Sequence, residues 1–203
     1  MDSLRLPMNP TVQRATRLPS KTEDWAAIVD HLLLVGFGVL AATFTILADF
    51  NLRVPGHAIL RVVLPFACGL AFVPRHGAGS VMGLGAILGA SAWIGIGHRE
   101  LGVGAMTSLV LTGPIMDVMM RSTKPHQSLY WRMALAGFLA NAGAYLVRGG
   151  FKWIESPGAG KPLLAAWGGK ALVTYSLCGL LAGLVSAFVI FRWHTDSATD
   201  TQL

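Results

Sequence analysis

Three polar clusters interrupt an otherwise apolar sequence, and they combine basic side chains with aromatic, histidine and acidic residues. Arginine and lysine bind carboxylates and phosphates through charge-assisted hydrogen bonds, and indole rings add apolar and cation–π surfaces. Brought together, such groups would bind an anionic small solute. The clusters are Asp49, Asn51, Arg53, His57 and Arg61; Trp93, His98, Arg99 and Glu100; and Tyr145, Arg148, Lys152, Trp153, Glu155, Trp167 and Lys170.

Arg61, Asn141 and Lys170 are the most informative polar residues, because each falls inside an apolar run. A charge at the centre of a membrane helix costs roughly 2.5–3.5 kcal/mol on insertion scales, so it is usually kept for a partner or a ligand. We predict a water-filled pocket between the second, fifth and sixth helices, beneath a flap formed by residues 151–162. The predicted lining consists of Arg61, Asn141, Trp167, Lys170, Trp153, His57 and His98.

Ion pairing is a structural alternative for the basic members of this set. Arg61 and Lys170 could extend to lipid headgroups and pair with glutamates at positions 100 and 155. Two other acidic residues, Asp30 (followed by His31) and Asp117, fall near the ends of their apolar runs. Each could cap a helix, pair with a basic loop residue or serve a proton path, and pairing at the interface is the favoured role.

Signatures of metal, haem or catalytic chemistry are missing from the sequence. The histidines form no HxxxH or HExxH pattern, and Cys68 and Cys178 each lie in an apolar run, where packing is the expected role. The segment 155–162 contains the lysine of a phosphate-binding loop but neither its first glycine nor its final serine or threonine. We therefore predict no bound metal, no cofactor and no enzymatic activity. A metal set remains open by topology alone, formed by His57, His98, Asp49 and Glu100.

Membrane helices are the elements that would position these residues. Hydrophobic residues make up 53% of the chain and charged residues 13%, whereas soluble domains carry roughly a quarter charged residues. The formal net charge is +6, but the basic residues lie between apolar runs and form no basic helix. Anionic headgroups of the lipid bilayer, not nucleic acid, are therefore the predicted partner of this charge.

Apolar runs near the length of about 20 residues that spans a bilayer divide the chain. They predict an all-α, polytopic membrane protein with a six-helix transmembrane domain at 25–192, flanked by polar cytoplasmic tails at 1–24 and 193–203. Short turns make the second, third and fourth spans antiparallel neighbours. The spans cover approximately 25–48, 58–73, 79–97, 101–120, 129–147 and 163–191.

Basic residues also predict the orientation of the chain. If the amino terminus is in the cytoplasm, the cytoplasmic segments carry more arginine and lysine than the outer segments. The positive-inside rule then places both termini in the cytoplasm and the polar clusters at the outer face. The predicted location is a multi-pass position in the cell membrane, the inner membrane where a cell has two.

Small residues recur one helical turn apart in several spans, and such residues let helix backbones approach closely in a membrane. Packing within the bundle is one role for these residues. The other is docking of a separate membrane subunit, for which Gly38 and Ala42 on the first helix are the favoured face.

The middle of the chain resembles the substrate-binding membrane subunits, or S components, of energy-coupling factor importers, a group with vitamin-binding members and related cobalt and nickel subunits. The resemblance extends over approximately residues 25–192. Where the cobalt and nickel branch has a histidine after the initiating Met, this chain has Asp2, which argues against metal transport. The resemblance is carried by Val54-Pro55-Gly56-His57, Val73-Pro74-Arg75, the glycine-rich third helix and Gly113-Pro114-Ile115-Met116-Asp117.

What the resemblance implies is a six-helix subunit that captures a scarce small solute, vitamin-like or metal, near the outer face. Such a subunit docks through its first helix on a transmembrane coupling subunit, and two cytoplasmic ATPases power transport. Gly38 and Ala42 stand where that family has its docking contact.

A solute-binding subunit of this kind is the predicted function. The alternative is a structural or assembly subunit of a larger membrane complex. A third hypothesis is a membrane enzyme acting on lipid, or a redox subunit that holds haem through His31, His57 or His98.

Overall fold

Every described element of the chain is an α-helix. The computed structural model describes residues 21–48, 56–97, 101–121, 129–155 and 160–200, and side chains are described throughout these ranges except at 21–24, 155, 160–167 and 192–200. Within these residues the chain forms six helices and no strand. The helices are α1 (Lys21–Leu47), α2 (Ile59–Phe72), α3 (Ala78–Gly95), α4 (Val103–Arg121), α5 (Leu129–Glu155) and α6 (Gly160–Asp200).

The predicted fold class is confirmed: the chain is an all-α polytopic membrane protein. Four helices, α1, α3, α4 and α6, contain stretches long and apolar enough to cross a membrane. The short apolar helix α2 has 14 residues, about 21 Å at 1.5 Å per residue, against a hydrocarbon core of about 30 Å. Helix α5 is longer but interrupted by polar residues. A full crossing by α2 and by α5 stays a prediction.

The helix ends differ from the predicted spans because helical hydrogen bonding continues past the apolar residues. Helix α1 begins at Lys21, before the span predicted from Trp25. Helix α6 continues to Asp200 and includes most of the segment predicted as a carboxyl-terminal tail. The domain limits drawn at 25 and 192 therefore mark changes in polarity along helices.

The short helix α2 lies at the centre of the bundle and contacts each of the other five helices. Around it, α1 packs on α3, α3 on α4, α4 on α5 and α5 on α6. Helices α1 and α6 flank α2, and in the described part of the chain no Cα atom of one lies within 8 Å of a Cα atom of the other. The buried residues of α2 are Ile59, Val62, Val63, Pro65, Phe66, Ala67, Gly69 and Leu70.

Contacts at the two ends of the bundle show that consecutive helices alternate in direction. Near the start of α1, Asp30 pairs with Arg75, which directly follows α2. Near the end of α1, Thr43 accepts a hydrogen bond from Trp93 at the end of α3, with 2.9 Å between Oγ1 and Nε1. Asp117 at the end of α4 contacts the start of α3.

The last two helices continue this alternation. Arg148, late in α5, lies against Gly104 at the start of α4, and Tyr145 bonds to Gly168, early in α6. The start of α1 and the end of α6 therefore lie at the same end of the bundle. We call the end of the bundle that contains the start of α1 and the end of α6 the Asp117 end, and the opposite end the Arg61 end. The side of the membrane that each end faces stays a prediction.

Glycines let three pairs of helices meet backbone to backbone. A Cβ added at Gly113 of α4 would lie 2.7 Å from the carbonyl carbon of Gly79 in α3. A Cβ added at Gly179 of α6 would lie 2.9 Å from the carbonyl carbon of Gly137 in α5. Contact this close gains dispersion energy over long stretches of helix, and in lipid such packing replaces the hydrophobic effect as the force between helices.

Gly38 belongs to the third of these contacts, between α1 and α3. A Cβ at Gly38 would meet the carbonyl oxygen of Met82 and lie 2.7 Å from the amide nitrogen of Ala86. Ala42, one turn later, is fully buried and lies beside Gly89. The face predicted to dock a separate subunit is thus covered by α3 of the same chain. The face formed by Gly38 and Ala42 therefore serves internal packing, which was the other role that the sequence left open.

Asp117 caps the amino terminus of α3 from the neighbouring helix. Its Oδ1 accepts a hydrogen bond from the Gly79 amide at 2.8 Å, and its Oδ2 accepts from the Ser80 amide and hydroxyl at 2.7 and 2.6 Å. Amide groups at a helix start have no partner within the helix, and the helix dipole favours an anion there. Of the roles left open by the sequence, Asp117 therefore caps a helix, whereas Asp30 pairs with the basic loop residue Arg75 at 3.3 Å.

Replacing Gly38 with leucine should destabilise the bundle strongly, whereas Gly36→Leu should not. The added side chain at Gly38 meets backbone atoms of α3, which cannot move aside, so the cost should reach or exceed the roughly 1–3 kcal/mol typical of overpacking. Nothing lies within 4 Å of a Cβ at Gly36. Unfolding of both variants in mixed detergent micelles measures the difference. Equal stability would mean that α1 and α3 do not pack as described.

Replacing Asp117 with alanine should cost about 1–3 kcal/mol, because it leaves the buried Gly79 amide without an acceptor. The matched change Asp30→Ala removes a half-exposed ion pair and should cost no more than about 1 kcal/mol. The same unfolding measurement compares the two. A larger loss for Asp30→Ala would contradict the cap.

Candidate functional site

Polar groups from four helices converge at the Arg61 end, around the start of α2, and all are side chains except the backbone carbonyl of Thr45. They come from the end of α1, the first turn of α2, the second half of α5 and the first half of α6. We call this set the polar junction. It consists of Thr45, His57, Arg61, Asn141, Tyr145, Arg148 and Tyr175.

Arg61 links α1 to the start of α2. Its half-buried guanidinium lies 3.1 Å from Nε2 of His57 and donates to the carbonyl oxygen of Thr45 at 3.4 Å. That carbonyl belongs to the last turn of α1, where a cation is favoured by the helix dipole. A guanidinium has only donors, so Nε2 of His57 accepts and the ring proton lies on Nδ1.

Asn141 joins the segment before α2 to helices α5 and α6. Its side chain is buried, and its Nδ2 donates both hydrogens, to the carbonyl oxygens of Gly56 at 3.1 Å and Tyr175 at 2.7 Å. Gly56 adopts a φ of 88°, and a Cβ there would lie 3.0 Å from both Nδ2 of Asn141 and Cα of Tyr175. Only glycine satisfies both conditions.

Two tyrosines and Arg148 complete the polar junction. The hydroxyl of Tyr145 donates to the carbonyl oxygen of Gly168 at 2.8 Å, and Arg148 donates to the hydroxyl of Tyr175 at 2.9 Å. The two tyrosine rings lie 5.3 Å apart at 51°. The aliphatic part of Arg148 covers Gly104, where an added Cβ would lie 3.4 Å from Cδ. Arg148 is thus held by neutral groups and kept at the surface of the bundle.

Charge is distributed unequally between the ends of the bundle. The only carboxylates among the described side chains are Asp30 and Asp117, and both lie at the Asp117 end. Arg61, Arg148 and Lys152 lie at the opposite end. Arg75, Arg121 and Arg132 lie at the Asp117 end, so basic side chains outnumber carboxylates at both ends among the described side chains, with the larger excess at the Arg61 end.

The predicted pocket residues are brought together only in part. Arg61 contacts His57, and Asn141 contacts the glycine before His57, so these three lie in one place. Lys170 and Trp153 are exposed on α6 and α5. Most of the predicted flap at 151–162 is helical, because residues 151–155 end α5 and residues 160–162 begin α6. Residues 156–159, the side chain of Trp167 and all of His98 lie outside the described residues.

The sequence reasoning missed two members of the polar junction. Thr45 takes part through its backbone carbonyl, which no side-chain pattern indicates, and the other member is Tyr175. Tyr175 lies in the apolar stretch of α6, where a tyrosine is easily taken for another hydrophobic residue. Its backbone carbonyl binds Asn141 and its hydroxyl binds Arg148. The available signal was chemical, since a tyrosine within a membrane helix needs a partner for its hydroxyl.

The open question of a metal set falls mostly outside the described residues, which exclude Asp49, His98 and Glu100. His57, the remaining member, lies against Arg61. Among the residues that are described, no group of three or more histidine, cysteine or acidic side chains could hold a metal ion.

Comparison of the chain with known proteins gives no matching family model, no matching curated protein and no matching solved structure.

Replacing Asn141 with leucine should destabilise the protein by roughly 1–3 kcal/mol for each carbonyl group left without its donor. The matched change Tyr145→Phe removes one hydroxyl hydrogen bond and should cost about 0.5–1.5 kcal/mol. Unfolding in mixed detergent micelles compares the two. If Asn141→Leu were as stable as the wild type, its amide would not hold α2 against α5 and α6.

Proposed function

We propose that the protein is a solute-binding subunit of a membrane transport system, without catalytic activity of its own, and that the polar junction binds an anionic group of the solute. The observation that carries this proposal is the position of Arg61 and Arg148. Both lie at the end of the bundle opposite Asp30 and Asp117, where Arg61 donates to the carbonyl oxygen of Thr45 and contacts His57, and Arg148 donates to the hydroxyl of Tyr175. Arginine in such a setting binds carboxylates and phosphates through paired hydrogen bonds.

Rigid positioning of these cations also supports the proposal. Asn141 fixes the segment before α2, and Tyr175 fixes Arg148, so both guanidinium groups are placed before a ligand arrives. Groups held in place bind more tightly than mobile ones, because less conformational freedom is lost on binding. Lys170 and Trp153, exposed at the same end, would lie at the rim of the site.

The resemblance to S components of energy-coupling factor importers agrees with this proposal and supplies its partners, a transmembrane coupling subunit and cytoplasmic ATPases. Because α3 covers Gly38 and Ala42, a coupling subunit would contact the outward face of α1 instead. That face is apolar and has shallow grooves along Val29–Leu40.

The same outward face favours the alternative, a structural or assembly subunit of a larger membrane complex. Leu32, Leu33 and Phe44 are all substantially exposed on it. In this alternative the outward face of α1 binds the complex, and the polar junction has only a structural role.

Substitution of Arg61 separates the two functions. The wild type, gently solubilised from its own membrane, should retain an anionic small molecule in native mass spectrometry. Arg61→Gln should reduce its occupancy about ten- to hundredfold, the loss expected for a charge-assisted hydrogen bond. Arg121→Gln removes the same charge at the opposite end and should retain the molecule.

Thermal unfolding of each variant controls for folding, and Arg61→Lys, which keeps the charge, should restore part of the binding. If the wild type retains protein subunits but no anionic molecule, the assembly function is favoured. Equal retention by Arg61→Gln and Arg121→Gln would contradict the proposed site.

A further inference from the structure

One face of α5 is a continuous apolar stripe that runs almost the whole length of the helix. Its residues recur every three or four positions, which is the spacing of a single helical face. Each of them is at least partly accessible, and none is polar. We call this face the α5 stripe. It consists of Trp131, Leu135, Leu139, Ala142, Leu146, Gly150 and Trp153.

The polar residues of α5 point away from this stripe and find partners within the protein. Asn141 is buried and bonds to the carbonyl oxygens of Gly56 and Tyr175. Arg148 donates to the hydroxyl of Tyr175. Such residues lower the mean hydropathy of α5, which is why apolar length alone does not identify it as a membrane span. The face that looks outward is nevertheless apolar throughout.

A tryptophan lies at each end of the α5 stripe. The side chains of Trp131 and Trp153 are 53% and 56% exposed. Between them the helix rises about 33 Å at 1.5 Å per residue, close to the hydrocarbon thickness of about 30 Å. Indole rings are enriched at the two membrane–water interfaces, and the stripe contains no aromatic residue between these two. The α5 stripe therefore has the length and the end residues of a lipid-facing span.

The other described tryptophans follow the same rule. Trp25 lies near the start of α1, at the Asp117 end, as Trp131 does in α5. Trp93 lies near the end of α3, at the Arg61 end, as Trp153 does in α5. The four tryptophans whose side chains are described thus form one pair at each end of the bundle. Two levels of indole rings one bilayer apart favour lipid, and not another protein, as the cover of the α5 stripe.

We propose that α5 crosses the bilayer completely between Trp131 and Trp153, with acyl chains covering its stripe, and that the contact of Asn141 with Gly56 lies inside the hydrocarbon core. This placement does not depend on the proposed function. Along α5, Asn141 lies about 15 Å from Trp131 and about 18 Å from Trp153, at 1.5 Å per residue. Its amide is therefore near the middle of the membrane.

Helix α2 consequently begins below the membrane surface at the Arg61 end. Residues 56–58, which lead into it, are not helical, and Asn141 binds the first of them, Gly56. The length of α2 agrees, since its 14 residues rise about 21 Å and leave about 9 Å of the hydrocarbon core uncrossed. Backbone outside a helix is tolerated at this depth only where protein or enclosed water satisfies its polar groups. Asn141 does this for the Gly56 carbonyl and so positions the start of α2 within the membrane.

Spin labels on the α5 stripe test its depth in the membrane. Single cysteines are introduced after Cys68→Ala and Cys178→Ala, labelled with a nitroxide and studied in phosphatidylcholine vesicles. Relaxation of each label by dissolved oxygen and by a water-soluble nickel chelate gives its depth. Ala142→Cys should lie deepest, and Leu135→Cys and Gly150→Cys should each lie about 10 Å nearer to a membrane surface, at 1.5 Å per residue.

Labels near the end of α5 decide whether the helix crosses. Ile154→Cys should lie among the headgroups. Leu146→Cys should lie between Ala142→Cys and Gly150→Cys in depth, and it replaces either of them if that variant does not fold in thermal unfolding. If Gly150→Cys meets the nickel chelate as freely as a label in solution, the end of α5 stands in water and the complete crossing is overturned.

A label at Leu60, an exposed residue in the first turn of α2, tests the position of that helix. Leu60→Cys should lie about 10 Å below the surface at the Arg61 end, because α2 stops short of that surface. Phe72→Cys, at the exposed end of the same helix, should lie near the opposite surface. A headgroup depth for Leu60→Cys would overturn the start of α2 inside the bilayer and leave the crossing of α5 standing.

Photocrosslinking identifies what covers the α5 stripe in the native membrane. Benzoylphenylalanine in place of Leu146 should form crosslinks with lipid on illumination. Crosslinking of most of the protein to a single protein subunit would overturn lipid as the cover of this face.

Discussion

Direct contact between helix backbones is the constraint on which this bundle depends. In lipid, apolar side chains gain little by leaving the solvent, so helices associate through close packing. Here α3 is the common partner: it meets α1 at Gly38 and α4 at Gly113, and α5 meets α6 at Gly137 and Gly179. These contacts set the distances between axes, and the distances decide which polar groups can reach one another. Asp117 reaches the start of α3 because Gly79 and Gly113 lie in contact one turn away.

Polar ties then fix each end of the packed helices in a different way. At the Asp117 end the tie is anionic and serves the amide groups that begin α3. At the Arg61 end the tie is cationic and serves a carbonyl that ends α1. Both follow the direction of the helix dipole. A guanidinium carries five N–H donors and no acceptor, and this is the end of the bundle at which we propose an anion site.

Much of the fold could be predicted from the sequence, because apolar length and helical spacing are local properties. The six helices and their alternation follow from such patterns. The packing partner of a helix face does not follow from local patterns. Gly38 and Ala42 form a face of small residues, but whether α3 or another protein covers that face depends on tertiary packing. For the site, the free-energy cost of placing a polar side chain in lipid correctly identified Arg61 and Asn141 as residues with specific partners. Lys170 also lies in an apolar run, but its side chain is exposed. Tyr175 was not identified because its neighbours in the sequence are apolar, although its hydroxyl binds Arg148.

The length of α6 has a mechanical consequence. Its 41 residues form one helix, about 62 Å long at 1.5 Å per residue and roughly twice the thickness of the hydrocarbon core. Near its middle, Gly179 and Gly183 pack against the backbone of α5 at Gly137 and Met133. About 30 Å of helix extends from these contacts towards each end, at 1.5 Å per residue, so a small change in tilt at Gly179 would move the two ends of α6 in opposite directions.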